Sequence, residues 1–214
     1  MLLVTVEILL VVVAPLLVLY LRGQWPLRAA IPCLLVIPVL WYLTYAPIHE
    51  LSHLVATYLV GGRVVYAKLI PSFWVGEFGR AWLTTEGLSG TWQHLAMTSA
   101  PYVLDAASVV AGFYLLRRVF SAHAFVIGLV FMLLCLRPMF DFVCETVAFA
   151  QGDRGDFYYI AGVVGRPLVW SLLAVLLGLS AYAIASVLRG GAIYQTDRRP
   201  SLKGADRAWS RPRR

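Results

Sequence analysis

The sequence predicts an all-α membrane protein of about five transmembrane helices, with a membrane-associated β-hairpin after the second. Three observations point there. Hydrophobic residues make up 60% of the 214-residue chain and charged residues only 14%, against about 45–50% and about 25% in a soluble domain. The apolar residues gather in runs of at least the ~20 residues that a spanning helix needs. One segment, residues 63–84, departs from this and is rich in β-branched and aromatic residues punctuated by Gly76 and Gly79.

The elements follow in order. The first span runs from about Leu2 to Tyr20 and stops at Arg22-Gly23. It lacks the positive n-region and small-residue cleavage site of a signal peptide, so a retained helix is expected. The second apolar run extends from about Ala29 to Val60, with Gly61-Gly62 as its stop. That is too long for one simple crossing, and Pro47 removes a backbone donor, which predicts a kink near Thr44. Arg63 to Ile70 and Phe73 to Thr84 then form the two arms of the hairpin, with Pro71-Ser72 as the break. The third span, about Trp92 to Leu116, contains Pro101 and Asp105 and ends at Arg117-Arg118. The fourth, about Ala122 to Ala150, contains Arg137, Pro138, Asp141 and Glu145, a heavy polar load for a span. A short polar loop, Gly152 to Asp156, leads to the fifth, about Pro167 to Leu188.

The net charge of +7 is uneven. Arg198, Arg199, Lys203, Arg207, Arg211, Arg213 and Arg214 crowd the C-terminus together with Pro200, Pro212 and Gly204. Residues 1–189 therefore read as one transmembrane domain and 190–214 as a basic, disordered tail. Anionic lipid head groups suit such a tail. Nucleic acid is not expected as a partner, because no folded basic module accompanies the charge. Cys33, Cys135 and Cys144 lie in apolar runs without a CxxC pair and read as small buried hydrophobes.

Inside the second run stands His49-Glu50-Leu51-Ser52-His53, the H-E-x-x-H pattern of zinc hydrolases. Residues four apart share a helix face, so His49 and His53 can hold one ion together. Glu50 can serve as general base on a water at that ion. The bland alternative is a pair of histidines packed between helices, with Glu50 paired to an arginine. Idle polar groups are expensive at membrane depth, which favours the functional reading. Catalytic zinc has three protein ligands and an open position. The third would come from Asp141, with Glu145 and Asp105 as the alternatives. Asp141 follows Pro138, which loosens its helix. Arg137, Asp141 and Glu145 are also four apart and could simply form a charge ladder.

The segment Pro47-Ile48-His49-Glu50-Leu51-Ser52-His53-Leu54, followed by Gly61-Gly62-Arg63-Val64, resembles the first motif of the site-2 protease family of intramembrane zinc metalloproteases. Arg137-Pro138-Met139-Phe140-Asp141-Phe142 is similar in placement to that family's second motif, an Asp after a proline, although Phe142 stands where Gly is usual. Residues 63–84 resemble its membrane-associated hairpin, and Ser99-Ala100-Pro101 sits where a Gly-Pro motif is common. The resemblance covers about residues 29–145. It implies that residues 1–189 are an integral, multi-pass metalloprotease domain binding Zn2+ through His49, His53 and Asp141, with Glu50 catalytic. Its substrates would be membrane-spanning or membrane-proximal proteins. A membrane-anchored zincin cutting soluble or unfolded chains, a non-catalytic metal-binding protein of the same fold and a metal transporter are the competing classes.

Overall fold

The computed structural model describes residues 9–23, 25–71, 81–119 and 123–198. It is mostly helical. A π-helical segment, Leu9–Val13, leads into α1, Ala14–Leu21. The expected first span thus falls partly outside the described residues. The long second run is one helix, α2, Leu27–Leu59, with Pro32, Pro38 and Pro47 inside it. Its 33 residues amount to about 50 Å at 1.5 Å per residue, well beyond a ~30 Å hydrocarbon core. The helix is continuous through Pro47 and Thr44, where the kink is expected. Gly61, at φ 86°, ends the helix in a left-handed turn.

Among the described residues the first arm ends at Lys68, two residues short of the expected Ile70, and the second runs two residues past the expected Thr84. Strand β1 is Arg63–Lys68 and β2 is Trp82–Glu86, antiparallel, with Arg63 opposite Glu86 and Lys68 opposite Trp82. The register slips between Val64 and Tyr66, so Val65 is a bulge. An Arg63–Glu86 ion pair closes one end. The expected second arm from Phe73 to Arg80 lies outside the described residues.

The helices after the hairpin match the apolar runs closely. They are α3, Thr91–Val119; α4, Ala124–Phe131, continued by a π-helical turn at Met132–Leu136 into α5, Arg137–Gln151; and α7, Arg166–Arg198. Between α5 and α7 lies α6, Asp156–Val164, a helix of nine residues that starts at the last residue of the expected Gly152–Asp156 loop and fills a stretch where no element was expected. The backbone of α7 stays helical past the expected Leu188 as far as Arg198, so the basic segment begins as helix. Residues 199–214 of the tail lie outside the described residues.

Among the described residues four helices are long and apolar enough to cross a membrane: Leu27–Leu59, Thr91–Arg117, Ala124–Gln151 and Arg166–Arg189. Their outward faces carry large apolar side chains, among them Leu35, Val39, Val103, Val175 and Tyr182. Such a surface suits lipid and would be an aggregation hazard in water.

Among the described residues two apolar clusters fill the interior. The first joins Leu16 and Leu19 of α1 to Ile37 and Trp41 of α2 and to Phe131 and Phe140. The second joins Tyr102 and Val109 of α3 to Phe142, Phe157 and Leu173. Asp141 stands in sequence between Phe140 and Phe142, one from each cluster, and so is held at their junction. Helix α3 passes close to the π-helical turn. A methyl group at Gly112 would come within 2.8 Å of Leu134 Cβ and 2.9 Å of Cys135 Sγ.

Candidate metal centre

The i, i+4 spacing on α2 puts His49 and His53 one above the other, with ring centroids 4.9 Å apart. Each ring has its Nδ1 side engaged. Nδ1 of His49 is 3.1 Å from Oδ2 of Asp141 on α5. Nδ1 of His53 is 2.9 Å from the backbone carbonyl of Met97 on α3. Both partners are acceptors, so both rings donate Nδ1–H and leave the Nε2 lone pair free.

The Met97 carbonyl is free for this because of Pro101. In an α-helix it would accept from the N–H four residues on, and proline has none. The vacancy left by Pro101 is thus filled by a side chain of the neighbouring helix.

The two Nε2 atoms face each other at 3.1 Å. The third group that joins them is Asp156, at the first position of α6. Its Oδ2 lies 3.1 Å from Nε2 of His53 and 3.6 Å from Nε2 of His49. Nitrogen and oxygen ligands at about 2.0–2.1 Å around a tetrahedral ion are about 3.3–3.4 Å apart. The three observed separations bracket that value. His49, His53 and Asp156 therefore could hold one metal ion.

The chain places Asp156 here by a short return. Gly152, at φ 76°, ends α5 in a left-handed conformation, and Gly155 caps α6 with extended backbone. The Tyr102 hydroxyl donates to Oδ2 of Asp156 at 2.9 Å, and its ring packs 4.4 Å from that of Phe157. Burial works against charge on Asp156, but its contacts with His49 and His53 outweigh this and hold its carboxyl below the usual carboxylate range.

The third side chain at the convergence is therefore Asp156, where Asp141 was expected. Asp141 sits at the opposite edge of the His49 ring, where it can orient the ring but does not join the Nε2 pair. Asp105 is also away from the convergence, buried and paired with Arg137 at 2.5 Å. The charge ladder exists for one step only, Arg137 to Asp141 at 3.7 Å. Glu145 instead lines a cavity of about 290 Å³ shared with His49, Glu50, His53 and Asp156. Strand β2 lends Trp82, Leu83 and Thr85 to the same cavity. Among the described residues Glu50 has no ion pair with an arginine.

Asp156 and Tyr102 escaped the sequence reading because only carboxylates inside apolar runs were considered as ligands. The available signal was the Gly-Asp pair at the end of a very short polar link. Such a link must return the chain to the same end of the bundle.

No family model, no curated protein and no solved structure matches this chain.

Proposed function

We propose that the protein is an integral, multi-pass membrane zinc metalloendopeptidase that hydrolyses peptide bonds of membrane-spanning or membrane-proximal proteins. The observation that carries this is the convergence of two Nε2 atoms and one carboxylate oxygen beside a cavity that Glu50 also lines. Two histidines and a carboxylate, with one side left open, suit a catalytic rather than a structural zinc. When bound, zinc would act as a Lewis acid toward water and toward the scissile carbonyl.

The chain's own groups supply the rest. Asp141 and the Met97 carbonyl fix the two rings with Nε2 inward. Tyr102 steadies Asp156. Glu50 accepts a proton from the attacking water and returns it to the leaving amine. A transmembrane substrate hides its amides in internal hydrogen bonds and must unwind before cleavage. Strand β2 borders the cavity and, among the described residues, pairs only with β1. Its other edge can hold the unwound segment as an added strand. Asp156 lies outside the four candidate spans, which favours cleavage toward one end of the bundle. Anionic lipids remain the proposed partner of the basic tail.

Glu50→Gln tests the mechanism. With the protein in proteoliposomes and a model transmembrane substrate, cleavage should fall by at least about a hundredfold, with zinc content unchanged. Equal cleavage by the variant would refute the proposed role of Glu50 and with it the protease reading.

A further inference from the structure

Behind the His49 ring lies a chain of charges that links three helices. Asp105 of α3 contacts Nη2 of Arg137 at 2.5 Å, Nη1 of Arg137 lies 3.7 Å from Oδ2 of Asp141, and that oxygen is 3.1 Å from Nδ1 of His49. The members are buried: Asp105 is 0% exposed, Arg137 2% and Asp141 5%. Arg137 makes few other polar contacts. Its Nε and Nη1 have no hydrogen-bond partner among the described residues. Its orientation is therefore set by the two carboxylates.

The geometry points to Arg137 as a positioning residue of the metal centre, which rests on the metal-binding reading above. Arg137 and Asp141 are four apart on α5 and share one face. Asp105 ties that face to α3. This fixes the rotation of α5 so that Asp141 meets the Nδ1 edge of His49 and turns Nε2 toward His53 and Asp156. A planar guanidinium can engage two carboxylates at once in fixed directions, whereas an ammonium offers a point charge on a flexible stem.

The test compares Arg137→Met and Arg137→Lys with the parent, each purified as the full chain in detergent. Zinc affinity is read by chelator competition, and ligand geometry by the visible spectrum of the Co2+-substituted protein. Removing a partner that orients a metal-binding histidine typically weakens affinity by about 10–100-fold. Arg137→Met should show a loss in that range and a changed cobalt spectrum. Arg137→Lys should lie between it and the parent. A folded Arg137→Met with parental affinity and spectrum overturns the proposal. If that variant fails to fold, Arg137→Lys decides: parental affinity and spectrum overturn the proposal, and a loss with an altered spectrum supports it. A parent that binds neither ion overturns the metal centre itself, which is a different result from a bound ion indifferent to Arg137.

Discussion

Replacing Asp156 by Ala separates the two carboxylates that flank His49. Oδ2 of Asp156 is 3.1 and 3.6 Å from the two Nε2 atoms, whereas Asp141 meets only Nδ1 of His49. A four-ligand zinc site binds with about 10–16 kcal/mol, or roughly 2.5–4 kcal/mol per ligand. Loss of one ligand should then weaken binding by about 100–1000-fold. Loss of an orienting partner should cost about 10–100-fold. The expected order of zinc affinity is therefore parent, then Asp141→Ala, then Asp156→Ala, with Asp156→Ala close to His53→Ala. The assay is competition with a chromophoric chelator on the detergent-purified full chain, with circular dichroism to show that the helices persist. Tight zinc binding by Asp156→Ala, combined with a loss in Asp141→Ala equal to that of His53→Ala, would refute this reasoning. It would return the third position to Asp141.

Other substitutions probe the packing. Gly112→Ala should destabilise the bundle by about 1–3 kcal/mol, since the added methyl meets Leu134 and Cys135 at under 3 Å. The same change at Gly162, where nothing lies within 4 Å, should be neutral or stabilising by up to about 1 kcal/mol; thermal unfolding in detergent reads both. Trp41 stacks on Tyr45 at 4.9 Å and meets the edge of Phe140 at 4.7 Å. Trp41→Ala should speed the labelling of buried Cys33 and Cys135 by a thiol reagent, and unchanged labelling would show that this cluster does not hold α2 to α5. Tyr102→Phe should lower zinc affinity less than Asp156→Ala does, because it removes one donor to the carboxylate and keeps the ring packed on Phe157.

Much of the helix inventory was legible because a bilayer-length apolar run has few alternatives. The bounds of α3 and of the α4–α5 helix fall within a few residues of their hydrophobic runs. The His49–His53 pairing was legible because i, i+4 spacing fixes a shared face within one helix. The placement of Asp141 at the Nδ1 edge of His49 was not. Spacing along α5 says which face the carboxylate occupies, but not which ring nitrogen of a histidine on another helix it meets. Helix α6 was hidden because nine residues between a polar link and a span show too little periodicity. The bulge at Val65 was equally invisible, since alternation along a strand does not report a slip against its partner.

Pro101 gives α3 a double identity. A proline within a helix is ordinarily counted as a defect, one rung missing from the ladder. Here the missing rung works as an address, because the carbonyl that Pro101 leaves without its helical partner is the one His53 finds. Restoring the rung, as Pro101→Ala would, creates a local competitor that never has to search for its acceptor. The helix would become more regular by becoming less informative to its neighbour. In this bundle, imperfection in one element encodes the orientation of a side chain in another.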